Sequence, residues 1–263
     1  MPTVRVRVTD DQVDEASGRL WLAGATAVGE VPDAGGTTLV ASFEERSAAD
    51  AAAAAVGGEV EEVVDGPWLD AWRDFAEPVR AGRLVVVPAW LDPPPTGPDD
   101  VVIPIDPGRV FGHGAHPTTR LLLAELEHRI TGGERVLDVG CGSGVLAVAA
   151  ARLGATTVVA VDIDSEAAVV TAANAARNHV ELDASTTPLA EVTGTFDVVL
   201  ANIGAAVLRD LATELQARVA PGGVLVLSGL LVDRWEDVAS RYAGTATSTE
   251  LDGWIALAVS TSP

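Results

Sequence analysis

The chain has 263 residues, 48% of them apolar, with 17 basic against 38 acidic side chains and a net charge of −21. That apolar fraction fills one large core, or a large core and a small one, and excludes intrinsic disorder. The charge disfavours a phosphate backbone as a direct ligand and favours a basic protein partner instead.

All basic residues are Arg, which with the abundant Ala, Val and Gly reads as genome composition and carries no functional argument. Cys141 is the single cysteine, so no intramolecular disulfide or multi-thiolate metal site can form, as suits a reducing compartment. The opening MPTVRVRVTDDQVDE has no apolar signal core, and no apolar run approaches the roughly 20 residues that span a bilayer. A soluble, cytoplasmic protein is expected.

Residues 4–8 (Val-Arg-Val-Arg-Val) alternate with a period of two, as a half-buried strand does, and 10–23 (DDQVDEASGRLWLA) start on acids, as a helix does. Strands are expected at 26–31 and 37–43, separated by the turn-forming Pro32-Asp33-Ala34-Gly35-Gly36. Ser47 is the expected cap of a helix over AADAAAAAV, and Glu59–Val64 reads as a further strand. The order βαββαβ predicts a small α+β, ferredoxin-like domain over 1–63. Residues 64–100 read as a connector. It comprises an amphipathic segment, 68–80, with Trp68, Trp72 and Phe75 at helical spacing as core contacts, then the strand LVVVPAW and the proline-rich loop DPPPTGPDD.

From 101 to 263 strands and helices alternate. They are RVLDVG, a helix from Ser143, TVVAVDI, a helix from Ser165, FDVVLANI, a helix over 205–219, VLVLSGL, a helix over 232–242, and WIALAVS. This pattern predicts an α/β domain with a doubly wound, mostly parallel sheet.

The sharpest local signal is Val136-Leu137-Asp138-Val139-Gly140-Cys141-Gly142-Ser143-Gly144, an apolar strand running into glycines and then a helix. Glycines here let a ligand approach the backbone. Rossmann dehydrogenases use G-x-G-x-x-G at this place. The pattern here is GxGxG, with Asp138 two residues before its first glycine, and Asp162 ends the next strand 22 positions after Gly140, where a carboxylate can accept both hydroxyls of a ribose. Cys141 reads as a small packing residue. His113 and His116 stand three apart, but no carboxylate or thiol cluster completes a metal site around them, and no metal is expected.

Motif and acid together resemble the class I methyltransferases that use S-adenosylmethionine (SAM). Upstream lies Asp106-Pro107-Gly108-Arg109-Val110-Phe111-Gly112-His113-Gly114-Ala115-His116-Pro117-Thr118-Thr119, and downstream FDVVLANIGAAVLRDLA and PGGVLVLSGLL. With FGHGAHPTT, GCGSG, DID and ANI, the chain resembles the PrmA family, methyltransferases of ribosomal protein L11. The likeness runs from Gly24-Ala25-Thr26-Ala27-Val28 to Trp254. It implies a seven-stranded Rossmann-like methyltransferase sheet behind a substrate-recognition domain. SAM contacts would fall on Thr119, Asp138, Gly140, Gly142, Asp162 and Asn202, with Asn202 also catalytic. The family usually has Thr where this chain has His113, a departure that bears on the substrate-side loop.

The resemblance further implies transfer of methyl groups to lysine ε-amines, an N-terminal α-amine, or both, on one basic ribosomal protein, free or on the large subunit; the acidic charge leads us to expect no direct contact to nucleic acid. Methyltransferases acting on planar nitrogen carry Asn/Asp-Pro-Pro-aromatic where this chain has Asn202-Ile203-Gly204-Ala205. Another protein or a small-molecule amine as acceptor, a noncatalytic SAM-binding or ribosome-assembly module, and an NAD oxidoreductase are the alternatives.

Overall fold

The alternation of the first strand is carried through to burial: in β1 (Pro2–Val8), Val4 and Val6 are buried while Arg5 and Arg7 are exposed. The computed structural model describes residues 2–9, 12–25, 27–33, 35–43, 45–62, 73 and 76–261. They fall in two units, Met1–Phe75 and Ala76–Pro263.

In the first unit β1 is followed by α1 (Val13–Leu22), β2 (Ala27–Asp33), β3 (Gly36–Ser42), α2 (Arg46–Val56) and β4 (Glu59–Glu62). The strands form one antiparallel sheet in the order β2-β3-β1-β4, the ferredoxin-like arrangement that the sequence pattern predicts. Val4, Val6, Leu20, Leu39, Phe43, Ala49 and Ala52 make its core. Helix α2 starts before Ser47: Glu45 is the extended N-cap, no side chain caps the helix, and Arg46 Nε donates to Asp50 Oδ1 at 3.0 Å across the first turn. Trp68, Trp72 and Phe75 of the expected amphipathic segment lie outside the described residues, and its end, 79–80, is strand rather than helix.

The second unit opens with β5 (Val79–Ala81), β6 (Leu84–Pro88) and β7 (Val101–Ile105), a three-stranded sheet of its own. The proline-rich loop joins β6 to its parallel neighbour β7 and is closed by Arg80, whose guanidinium donates to both oxygens of Asp100 at 2.7 and 2.9 Å. Leu84, Val86, Ile103 and Ile105 share one apolar cluster with Leu122 and Leu126 of α3 (Pro117–Arg129) and with Val148 of α4 (Val145–Leu153). This fixes the start of the loop that follows β7.

The main sheet holds β8 (Arg135–Val139), β9 (Thr157–Val161), β10 (Asp183–Ser185), β11 (Phe196–Asn202), β12 (Val219–Leu231), β13 (Thr245–Leu251) and β14 (Trp254–Ser260). Its order is β10-β9-β8-β11-β12-β14-β13, parallel apart from β14, which runs against both neighbours. Successive residues of a strand enter opposite clusters, Val136 and Leu200 on one face and Leu137 and Val199 on the other. Both faces are covered, one by α3, α4 and α5 (Ser165–Arg177) and the other by the helical segments that carry Leu208, Leu215 and Val238, so the strands read as continuous apolar runs.

Several elements differ from the sequence reading. The helix over 205–219 is two short ones, α6 (Ala205–Asp210) and α7 (Ala212–Ala217), split at Leu211 (φ −87°, ψ 4°), and they bury Leu208 and Leu215 separately. The helix over 232–242 shrinks to α8 (Trp235–Ala239), because Val232 N–H is drawn to Gly253 O at 3.0 Å and 234 closes a turn onto Leu231. Strands β5, β7, β10 and β13 have no counterpart in the reading. Strand β13 joins β14 through a two-residue turn, Asp252-Gly253, both at positive φ (49° and 79°).

Candidate cofactor and catalytic site

Three neighbouring strands stop at one level. Val139 of β8 pairs with Val161 of β9 on one side and with Ala201 of β11 on the other, so Gly140, Asp162 and Asn202 stand side by side at the carboxyl edge. The strand order reverses between β8 and β11, and that crevice is where open α/β sheets bind ligands.

From Gly140 the chain turns sharply towards α4. Gly142 sits at φ +52°, and a Cβ there would lie 2.5 Å from the carbonyl oxygen of Phe111. Only glycine meets both constraints. Its N–H donates to Asp162 Oδ2 at 2.9 Å, while Asp162 Oδ1 accepts from Asp164 N–H at 3.0 Å. Both oxygens are therefore positioned by backbone, and each keeps a lone pair for a further donor.

Ser143 does not begin the helix as expected; Gly144 is the N-cap. Its hydroxyl donates to Gly112 O at 2.6 Å and its N–H to Phe111 O at 2.9 Å, which ties the 107–116 loop down onto the glycine turn. Asn174 secures the other end, taking Asp106 N–H on Oδ1 at 3.0 Å and donating from Nδ2 to Asp106 O and Ser143 O, both at 2.9 Å. Asn178 likewise donates to Pro104 O at 2.8 Å. Two of the three asparagines are thus staples for this loop, and the third, Asn202, is at the edge itself.

Asp138 is 1% exposed. Its Oδ2 accepts from Ala147 N–H at 3.2 Å, and its Oδ1 has no hydrogen-bond partner among the described residues. Burial pushes its pKa up to about 7, with the nearby Asp162 adding to the effect against the Ala147 N–H. Burial and the same Asp138 push the Cys141 thiol up to about 12, so it stays protonated beneath Thr171, whose hydroxyl reaches Sγ at 3.4 Å.

Thr119 is fully buried in the first turn of α3, and Asn202 Nδ2 reaches its Oγ1 at 3.5 Å. Pro117 starts that turn, and His116 is its N-cap, accepting Thr118 N–H on Nδ1 at 3.4 Å. An acceptor nitrogen carries no proton, which agrees with burial, and His113 beside it, holding His116 below the usual histidine range. His113 Nδ1 accepts Ala115 N–H at 3.4 Å. Among the described residues no three His, Cys, Asp or Glu side chains gather as metal ligands do.

Hydrogen bonds join Gly142 to Asp162 and Thr119 to Asn202, and Asp138 and Gly140 lie next to both pairs along β8 and its end. Ile163 was missed by the sequence reading. It is 99% exposed, an apolar face beside the two oxygens of Asp162. An apolar residue between two acids directly after an apolar strand, Asp162-Ile163-Asp164, was the available signal.

A family model described as ribosomal protein L11 methyltransferase (PrmA) matches residues 34–261. Among curated relatives, a ribosomal protein L11 methyltransferase of Geobacter metallireducens is 51% identical over 179 residues, 68% of this chain and 59% of that protein. The chain thus spans about three fifths of that relative. One of Sorangium cellulosum is 40% identical over 261 residues, covering 92% of this chain and 82% of its own length. Among solved structures, a ribosomal protein L11 methylase of Lactobacillus delbrueckii subsp. bulgaricus superposes with a TM-score of 0.65 at 34% identity, over 72% of this chain and all of that one. The match that carries FGHGAHPTT, GCGSG, DID and ANI therefore extends through nearly the whole second unit and into the first, and the chain belongs to the ribosomal protein L11 methyltransferase (PrmA) family.

Proposed function

We propose that the chain transfers methyl groups from SAM to amines of ribosomal protein L11, lysine ε-amines, the N-terminal α-amine or both, in the cytoplasm. What carries the reading is the alignment of Gly140, Asp162 and Asn202 at one level of the sheet, with the unpaired oxygen of Asp138 beside them.

The donor set fits SAM group by group. Asp162 has lone pairs for two ribose hydroxyls, and the exposed Ile163 offers an apolar face to an adenine ring. Asp138 Oδ1 suits the ammonium of a methionine moiety, an opposite charge that restores its ionised form. Thr119 Oγ1 and the Gly140 and Gly142 backbone complete the set. When bound, SAM supplies an electrophilic methyl group on a sulfonium.

The protein's part is to present a nitrogen lone pair. A free lysine amine is about 0.1% neutral near pH 7.4, a cost of roughly 4 kcal/mol if the site does nothing. Burial at the edge favours the neutral amine. Asn202 Nδ2 is committed to Thr119 Oγ1, which leaves Oδ1 to accept an amine N–H and aim the opposite lobe. The proton lost on methylation passes to water, so no dedicated base is required; the His116 Nδ1 is already an acceptor for the helix cap.

Titration calorimetry with SAM, S-adenosylhomocysteine and NAD tests the cofactor assignment. The first two bind and NAD does not; NAD binding would return the chain to the oxidoreductases. Tritium transfer from labelled SAM to a protein amine is expected, and binding without transfer would make it a noncatalytic SAM module.

A further inference from the structure

Three aromatic rings on the Asn202 side of the site have no part in the mechanism above. Phe111 is large and apolar yet 56% exposed. Its ring lies edge-on to His116, with centroids 5.5 Å apart at 69°, and His116 lies edge-on to Trp254, at 5.0 Å and 68°. The three therefore form one continuous row.

Each member is held by an element of the site. The Phe111 carbonyl oxygen accepts from Ser143 N–H in the glycine turn at 2.9 Å. His116 caps α3, three residues before Thr119, and its Nδ1 lies 2.8 Å from Thr118 Oγ1. Burial, with His113 beside it, holds His116 below the usual histidine range, which favours the neutral ring that does not repel a cation. Trp254 begins β14 opposite Leu231, and because β14 runs against β12 that puts it at the same edge of the sheet as Asn202. Arg120 Nη1 of α3 stands 3.8 Å from Asp252 in the turn just before Trp254.

We propose that Phe111, His116 and Trp254 form an aromatic wall that seats the four-carbon stem and amine of the acceptor lysine against Asn202. The inference rests on the protein-lysine reading of the function and adds where the acceptor side chain lies. A lysine stem is apolar and needs an apolar contact to be ordered. Ring faces and edges around the nitrogen exclude water, which favours the neutral nucleophile, and the same faces hold the methylated ammonium by cation–π attraction after transfer.

The test uses the full chain with recombinant ribosomal protein L11, the variants Phe111→Leu, Trp254→Leu and Trp254→Phe, and three readouts: KM and kcat for L11, the distribution of mono-, di- and trimethyl-lysine, and affinity for S-adenosylhomocysteine. Because the chain contains no Lys, all methyl-lysine comes from the acceptor. Phe111→Leu and Trp254→Leu are expected to raise KM at least fivefold and shift products towards lower methylation, with S-adenosylhomocysteine affinity within twofold of wild type. Trp254→Phe restores most of the loss. Phe111 is exposed, so its variant keeps the test open if Trp254→Leu unfolds. Unchanged KM and products in a folded Phe111→Leu variant would overturn the wall, and so would a parallel loss of S-adenosylhomocysteine affinity, which would give the rings to the cofactor. If the wild-type chain transferred no methyl group to lysine, the lysine reading of the function would fall and the wall with it; wild-type transfer with unaltered variants removes the wall alone.

Discussion

Asp138 is a carboxyl that the fold buries with one oxygen unanswered, so its titration reports on the site. Its folded pKa, about 7, lies above the ordinary carboxylate value near 3.9 of an unfolded chain. Below about pH 4 both states are protonated and nothing is lost. Between about pH 4 and 7 the folded state holds a proton that the unfolded state has released, so ligand-free stability falls as pH rises, by up to about 1.4 kcal/mol per pH unit. Thermal unfolding at pH 5 and pH 8 checks this: the drop in Tm between them should shrink in Asp138→Asn, and an equal drop in both proteins would place the charge elsewhere. Asp162→Ala removes the acceptor for a diol. At about 1.5–3 kcal/mol per charge-assisted bond, SAM affinity should fall at least tenfold by calorimetry with the circular dichroism of the fold intact. Asn202→Ala should cut kcat at least tenfold, about 1.4 kcal/mol of transition-state stabilisation, while SAM affinity changes less; wild-type turnover would reduce Asn202 to a strand-end cap.

At the scale of elements, what the sequence made legible tracks what each element buries. Strands β8, β9 and β11 send apolar residues to both faces; β8 and β9 run directly into Gly140 and Asp162 and β11 ends at Asn202, so strand and site residue could be read together. Strand β13 is an edge: all of Thr245–Glu250 is exposed, no apolar alternation marks it, and its β-branched Thr245, Thr247 and Thr249 were the only cue. Of the three-stranded sheet the sequence marks only β6, because β5 is three residues long and Pro104 interrupts β7, where proline is tolerated at the sheet edge. The tie between Ser143 and Gly112 joins residues 31 apart and no local pattern encodes it, which is why Ser143 read as a helix start. That tie makes Gly142 testable. Gly142→Ala forces a Cβ against the Phe111 oxygen at a strained φ, so it should lift the 107–116 loop and weaken S-adenosylhomocysteine binding at least tenfold by calorimetry. Binding at wild-type strength would show that the loop and turn are not coupled.

For the molecule as a whole, charge and division point the same way. Residues 1–63 carry 4 Arg against 12 Asp and Glu, a net of −8, on a ferredoxin-like sheet. We propose that such a platform favours a basic protein partner over free RNA, by an attraction that reaches about 8 Å at physiological ionic strength. A chain starting at Ala76 is therefore expected to keep SAM binding, if it folds, and to lose most transfer to L11; transfer at the full-length rate would take substrate recruitment away from the first unit. Asn202, at the edge beside Gly140 and Asp162, is proposed to serve methyl transfer to amines of ribosomal protein L11. That role is tested most directly by incubating the wild-type chain and Asn202→Ala with SAM and recombinant L11, then reading L11 peptides by mass spectrometry. Methyl increments on lysine or N-terminal peptides are expected with the wild type, and at least tenfold slower accumulation with Asn202→Ala. Unmodified L11 after incubation with a wild-type chain that binds SAM would contradict it.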